Sequence, residues 1–397
     1  MGNFIRRNLE TRLRFSLLED SVIYLTGPRG VGKKSLYLSL KEQFPYLSFE
    51  EDGKLAAAKE NPIAFVQSIP AKTIIDHSTL APEIFKPMST FITKLRLANN
   101  GYVAGQFLLT GICKIDSVPS LPVNLTGQLR VLTLLPFAAA EIVDNGDINF
   151  IYDIFTKKFH NKKFKNIINI VEIIKKSSFA SITTKDTKDI KSWYKNYLDI
   201  LLKDIQFLAN IDDIDLLQKI IILLTKKIGE SLDLEKFAKE LGTDLEICKA
   251  YITILESFYL IIVIESIEES SQKIYMMDSN LLLALSNTDS MPDIIIKNFI
   301  ASELIKHIEY LDKYPYRLLT STKVDFIVQN MQNKNIVGID WNHSNIVTED
   351  DFKDLKAFKK EAGQNFTKGV ILYLGLDIIS FGDDLFAMPI SALWGGN

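Results

Sequence analysis

One stretch limits what this chain can fold into more than any other: Gly27-Pro28-Arg29-Gly30-Val31-Gly32-Lys33-Lys34-Ser35. It follows the apolar run Val22-Ile23-Tyr24-Leu25 and precedes a helical pattern from Leu36 to Leu40. Strand, glycine-rich turn and helix form the context in which backbone N–H groups curl around an oxyanion and a helix N-terminus adds partial positive charge. The spacing Gly-x4-Gly-Lys fits the Walker A pattern as far as Lys33, which would reach the β and γ phosphates of a nucleotide. The next position breaks the pattern. Walker A places a Ser or Thr hydroxyl there to hold Mg²⁺, whereas this chain has Lys34, with Ser35 one place late. The plain alternative is a glycine-rich turn that merely carries a lysine. The strand before and the helix after favour a phosphate loop without assuring Mg–ATP chemistry.

Four further apolar runs extend the pattern. Tyr46-Leu47-Ser48-Phe49 reads as a short strand, followed by an Ala-rich helix from Lys54 to Lys59. Thr73-Ile74-Ile75-Asp76 reads as a buried strand ending in a carboxylate. Strand ends in a parallel sheet face the ligand crevice, so Asp76 is a candidate Walker B residue in the shell of Mg²⁺; its ordinary reading is a turn or helix cap. The residue after it is His77, where a glutamate would polarise the attacking water. A neutral imidazole can act as a base but brings no negative charge. Phe107-Leu108-Leu109-Thr110-Gly111 puts Thr110 at a strand tip, a candidate γ-phosphate contact, and Gln128 to Leu134 makes a fifth strand. Repeated strand–helix units predict a three-layer α/β domain with a parallel sheet of the P-loop NTPase kind over 1–145.

At 397 residues the chain exceeds one typical core, so two or three domains are expected. A net charge of −3 gives no global attraction to nucleic acid. Cys113 and Cys248 are too few for a disulfide framework or a zinc cluster and suggest a reducing compartment. No apolar run approaches the ~18 residues of a membrane span, and Met1 to Arg7 lacks the apolar core of a signal peptide. A cytoplasmic protein without membrane contact is expected.

Residues 146–277 read as a helical and winged-helix domain. Lys157, Lys158, Lys162, Lys163, Lys165, Lys175 and Lys176 interleave with Phe155, Phe159 and Phe164, which predicts an amphipathic helix. Its charge run reads first as a solvated face and only weakly as a nucleic-acid or partner surface. Leu216–Ile228 and Leu232–Leu241 predict two helices, and Thr243 with Glu246 predicts a capping box on a third. Ile261–Ser266 and Lys273–Met277 predict a hairpin wing. The third helix carries Asp244, Glu246, Lys249 and Glu256, a poor set for reading a major groove. A structural or protein-contact role is the better expectation.

Residues 278–397 predict a second α/β domain. Glu303 on a helix, with Asp325 and Asp340 on two strands, matches the layout by which restriction-endonuclease-like folds hold a divalent metal. The supporting lysine two places after the last carboxylate is missing, because Asp340 is followed by Trp341 and Asn342. The three acids would hold a metal only weakly.

Enough residues now stand to compare with a family. The chain resembles the prokaryotic AAA-type ATPases that carry a C-terminal domain of unknown function. The resemblance lies in Leu25-Thr26-Gly27-Pro28-Arg29, Asp76 to Phe85 with Ala81-Pro82-Glu83, Leu109-Thr110-Gly111, Leu125-Thr126-Gly127, Leu134-Leu135-Pro136-Phe137 to Glu141, Ala301-Ser302-Glu303-Leu304, Val324-Asp325-Phe326-Ile327 and Pro389 to Trp394. It implies ATP or ADP as ligand, with Mg²⁺ in question. The family shows Gly-Lys-Thr-Thr, Asp-Glu, Thr-Gly-Ser and Ala-Gly-Arg where this chain has Lys33-Lys34-Ser35, Asp76-His77, Gly111-Ile112 and Gly127-Gln128. The family arginine would stabilise developing charge. Gln128 cannot, and Arg130 lies two residues on, on the same strand face. The losses fall on catalytic positions and spare the apolar frame. They point to a nucleotide-binding protein with weak or no hydrolysis. A slow Mg-dependent ATPase and an interaction scaffold with an empty loop stand as alternatives, with a protein partner or further copies of the chain as binding partners.

Overall fold

Val22 to Thr26 form β1, a strand buried along its whole length, as expected where a strand has neighbours on both sides and helices on both faces. The computed structural model describes residues 5–38, 44–117, 127–143, 149–159, 162–163, 169–183, 189–268, 271–286, 292–311 and 315–395. In the N-terminal part, β1 joins β2 (Tyr46–Ser48), β3 (Thr73–Asp76), β4 (Phe107–Thr110) and β5 (Leu129–Thr133). All neighbours run parallel, in the order β2-β3-β4-β1-β5. The helices of this part are α1 (Leu9–Glu19), α2 (Lys33–Leu38), α3 (Asp52–Glu60), α4 (Pro62–Ser68) and α5 (Phe85–Ala98). After β1 the chain crosses to the far edge and returns through β3 and β4. The carboxyl ends of β1, β3 and β4 therefore share one edge, with Leu25 opposite Thr110 and Ile75 opposite Leu109. In open parallel sheets that edge is where ligands sit.

A helical region follows: α6 (Ala139–Ile142), α7 (Phe150–Thr156), α8 (Ile170–Lys176), α9 (Ala180–Thr183), α10 (Ile190–Ala209), α11 (Ile214–Thr225), α12 (Leu234–Leu241) and α13 (Leu245–Ser257). The two-residue strand β6 (Lys162–Lys163) lies between α7 and α8, and the hairpin β7 (Ile261–Glu265) and β8 (Gln272–Met276) follows α13. Gly242 closes α12 in the left-handed conformation at φ 68°. The capping box expected from Thr243 and Glu246 does not form. Asp244 is the residue before α13, and its side chain makes no cap bond. The lysine run is not one amphipathic helix either. α7 ends at Thr156, β6 intervenes, and helix resumes at Ile170. Lys157 and Lys176 are tied to Asp153 and Glu172 one turn away on their own helices, while the side chains of Lys162, Lys163 and Lys165 lie outside the described residues.

The C-terminal part contains α14 (Ser279–Leu285), α15 (Asp293–Tyr310), β9 (Tyr316–Leu319), β10 (Phe326–Asn330), β11 (Ile336–Asn342), α16 (Lys353–Ala362), β12 (Phe366–Tyr373), β13 (Asp377–Ser380) and β14 (Leu385–Pro389). Its mixed sheet runs β6-β13-β14-β12-β11-β10-β9. The start of the expected middle segment thus joins this part. β6 pairs with β13, Phe155 packs on Tyr316 at 5.0 Å, and Lys368 Nζ donates to the Ile154 carbonyl. α15 is buried on nearly every face, from Ile295 to His307. A helix buried this far round belongs in a core, its polar side chains satisfied there by partners, and it packs against β8 and β9 and reaches residues 135–139 of the N-terminal part. Among the described residues, no helix is long and apolar enough to cross a membrane.

Candidate functional site at the phosphate loop

The loop leaves β1 through three glycines with positive φ: Gly27 at 139°, Gly30 at 75° and Gly32 at 103°. Such angles strain any residue with a Cβ. Gly27 is confined as well, since a Cβ there would lie 2.0 Å from the Leu134 carbonyl oxygen. Lys33 opens α2 and folds back, its Nζ donating to the carbonyls of Gly27 at 2.6 Å and Pro28 at 2.9 Å. Burial pushes the Lys33 ammonium down to about 7, against the opposing pull of Asp76. Val31 is buried, and its carbonyl accepts from Arg7 Nη1 at 3.1 Å. Arg7 is itself buried, pairs with Glu141 at 3.1 Å and touches the Tyr310 hydroxyl at 3.2 Å. Arg29 leaves the loop sideways to Asp204 on α10, at 2.8 Å. At the base of the loop, Tyr259 donates to the Thr26 hydroxyl at 3.2 Å.

Asp76 ends β3 where the sequence pattern puts it, but its surroundings were not legible there. Its Oδ2 accepts from the hydroxyls of Tyr37 at 2.6 Å and Tyr46 at 3.0 Å. Its Oδ1 accepts from the Thr110 hydroxyl and, at 3.2 Å, from the His77 backbone N–H. Burial works to raise its pKa, but the hydrogen bonds from Thr110 and Tyr37, with His77 beside them, prevail and hold it below the usual carboxylate value. Tyr37 lies four residues after Lys33 and so on the same face of α2; that spacing was the available signal for it. Tyr37 and Tyr46 stack at 5.7 Å between centroids, and Lys34 Nζ lies 5.8 Å from the Tyr46 ring. Ser35 is exposed. Lys34 offers no hydroxyl and both oxygens of Asp76 are already engaged, so this donor set does not fit a Mg²⁺ ion.

His77 adopts a left-handed backbone, φ 58°. Its Nε2 lies 3.4 Å from Glu50 and its Nδ1 3.5 Å from Asp76. Thr110 is turned into the Asp76 cluster. Arg130 pairs with Ile23 in register, three residues before the end of β1, and its Nε bonds Asp20 ahead of β1. At about 3.3 Å per residue that is roughly 10 Å from the end of β1, so Arg130 sits toward the opposite edge from the loop of its own chain.

The structure does not bring Glu303, Asp325 and Asp340 together. Glu303 is fully buried and faces the N-terminal part, accepting from the Ala139 backbone N–H at 2.9 Å and from Lys306 at 2.8 Å. Asp325 pairs with Lys297 at 2.8 Å, which stands six residues before Glu303 on α15, about 9 Å along the axis. Asp340 accepts from the Asp325 backbone N–H at 2.8 Å. Burial and then the neighbouring Asp325 charge push Asp340 up to about 7. Among the described residues, no group of three His, Cys, Asp or Glu side chains is spaced to hold a metal.

A parallel five-stranded sheet with this loop on an inner strand defines a P-loop NTPase fold. Residues 19–143 match the family model described as AAA domain, 180–291 match a domain of unknown function (DUF8612), and 294–393 match a second one (DUF4143). The chain is 25% identical over 130 residues to an uncharacterized protein of Mycobacterium tuberculosis, Rv2008c; the alignment covers 32% of this chain and 28% of that protein. Among solved structures, the Walker-type ATPase Paby2304 of Pyrococcus abyssi is similar at a TM-score of 0.38 and 14% identity, over 71% of this chain and 96% of that one. RuvB of Thermotoga maritima is similar at 0.31 and 17%, over 67% and 91%. Scores of that size add nothing to the strand order, which carries the fold together with the loop and the family match.

Proposed function

We propose that this chain is an AAA-type nucleotide-binding protein that acts by binding and conformation, with weak or no hydrolysis. Gly27, Gly30, Gly32 and Lys33 cradle the phosphates, while Pro28, Arg29 and Val31 fix the loop's path. The observation that carries the reading is the loop itself: three positive-φ glycines around a lysine whose Nζ, among the described residues, bonds only loop carbonyls. A phosphate oxygen is a stronger acceptor for that ammonium than a carbonyl. Against hydrolysis stand Lys34 in place of a hydroxyl, His77 in place of an acid, and Arg130 away from the loop. The helices α11 to α13 and their hairpin support a winged-helix reading with a structural role, since Glu256 of α13 is tied to Lys114 at 2.7 Å and Tyr259 to Thr26. The mixed sheet supports a restriction-endonuclease-like frame without a metal-dependent activity.

Calorimetric titration with ATP and ADP, on the wild type and Lys33→Ala, tests this. Binding by the wild type and its loss in the variant is expected, together with no phosphate release above background. Mg-dependent phosphate release that vanishes in Lys33→Ala would establish the slow ATPase instead. Folded wild type that binds neither nucleotide would leave the scaffold reading.

A further inference from the structure

Asp76 has two oxygens with about four lone-pair directions between them. Four donors meet them: Tyr37 and Tyr46 at Oδ2, Thr110 at Oδ1, and also at Oδ1 the His77 N–H, which is shared with the Thr110 hydroxyl oxygen at 3.1 Å. A Walker B carboxylate serves Mg²⁺ by accepting from the water shell of the ion or by touching it, and either requires a free lone pair. Thr110 and the backbone N–H belong to the strand tips. The two tyrosine hydroxyls do not. Tyr37 projects from α2, one turn past Lys33, into the space between the loop helix and β3. Tyr46, on β2, stacks on it, and Lys34 Nζ lies 5.8 Å from the Tyr46 ring.

We propose that Tyr37 and Tyr46 form a clamp that converts the Walker B carboxylate from a metal-shell acceptor into a hydrogen-bonded strut, so that the loop takes nucleoside di- or triphosphates free of divalent cation. The clamp rests on the nucleotide-binding reading above and adds the form of ligand. Lys34, at the sequence position of the missing loop hydroxyl, supplies positive charge. The hydroxyls keep Asp76 from repelling an uncovered phosphate, because a carboxylate that accepts from several donors has its charge spread over them.

The test is affinity for ATP and ADP by calorimetry, with Mg²⁺ or with EDTA, for the wild type, Lys34→Thr, and Lys34→Thr combined with Tyr37→Phe and Tyr46→Phe. Lys34→Thr restores the loop hydroxyl but keeps the clamp. It should bind equally with and without Mg²⁺, within about twofold, as should the wild type. The triple variant frees Oδ2 and should bind at least about tenfold more tightly with Mg²⁺ than with EDTA. Wild type or Lys34→Thr that binds about tenfold more tightly with Mg²⁺ overturns the clamp and leaves nucleotide binding standing. So does a folded triple variant indifferent to Mg²⁺. Wild type that binds no nucleotide under either condition overturns the functional reading itself, and the clamp with it. If the triple variant does not fold, Lys34→Thr alone still decides, since it keeps both tyrosines and carries the clamp intact.

Discussion

Asp76 in the parallel sheet and Asp340 in the mixed sheet are both carboxylates on largely buried strands, and burial works to raise the pKa of each. They end on opposite sides of the ordinary value. Asp76 is met by three hydroxyls and an N–H, which favour the charged form. Asp340 has the Asp325 carboxylate beside it and one backbone N–H in compensation. Burial alone therefore does not set the charge state of a strand-end acid; the donors and charges around it do. Glu303 is a third case, in which one lysine and one backbone N–H offset complete burial only in part, and burial keeps its pKa raised.

The largest effect should come from breaking that third arrangement. Glu303→Ala leaves the Lys306 ammonium buried, with the Phe137 carbonyl at 3.1 Å as its remaining hydrogen-bond acceptor among the described residues, a change that typically costs about 3–5 kcal/mol. Urea unfolding monitored by near-UV circular dichroism would measure it. A loss under about 1 kcal/mol would mean that the pair is not a strut between α15 and residues 137–139, and the contrast with Asp340 would lose its third member.

Next come two glycines, one from each sheet. Gly27→Ala must fit a Cβ against a backbone carbonyl at a φ that strains it, and should cost about 3 kcal/mol. In Gly338→Ala on β11 the Cβ meets Leu355 Cδ2 at 2.8 Å and Phe358 Cδ1 at 3.3 Å. Those are side-chain ends that can yield, so roughly 1–2 kcal/mol is expected. Equal midpoints for the two variants in urea would show that the loop is no more rigidly walled than the mixed sheet.

What the sequence revealed of these regions follows the range of the contacts. The loop, the five strands and Asp76 at a strand tip are written in local patterns of apolar runs and glycines, and the structure has them at the expected positions. Tyr37 and Tyr46 come together only once β2 lies beside β3, so nothing local marks them except the spacing of Tyr37 from Lys33. Glu303 fitted a metal-site spacing, but its partner Ala139 is 164 residues away, beyond any pattern in the neighbourhood of Glu303. The lysine run misled because charge spacing was read as helical where β6 departs to join a sheet 214 residues further on.

The Asp340 contrast can be sharpened by pH. With a folded value of about 7 against about 3.9 unfolded, the native state holds a proton between those values that the unfolded chain has released. Stability from this group is therefore present at low pH and falls as pH rises toward 7, by at most about 1.4 kcal/mol per pH unit. Asp340→Asn removes that fall, so unfolding midpoints of variant and wild type should diverge between about pH 4 and 7, with the variant ahead at the upper end. Asp76 works the other way: its stabilisation is present above the unfolded value and is lost as pH drops through the depressed folded one. Parallel profiles for Asp340→Asn and wild type would mean that Asp340 titrates alike in the folded and unfolded chain, and divergence in the opposite sense would place it with Asp76; either erases the comparison.

The smallest effect is expected at Arg29–Asp204, and it bears on how the loop is joined to the rest of the chain. Burial raises the Asp204 pKa while Arg29 lowers it, and the two side chains remain 36% and 24% exposed. Water and salt therefore screen the pair, and Arg29→Ala should cost about 0.5–1 kcal/mol at low ionic strength and less at high. The buried contacts are different in kind: Arg7 holds the Val31 carbonyl, Glu141 and the Tyr310 hydroxyl with almost no exposure. If the loop is tied to α15 through Arg7 and only latched to α10 through Arg29, Arg29→Ala should leave the unfolding midpoint nearly unchanged while hydrogen exchange speeds up in α10. A loss above about 2 kcal/mol, insensitive to salt, would invert that order and make the surface pair the principal tie.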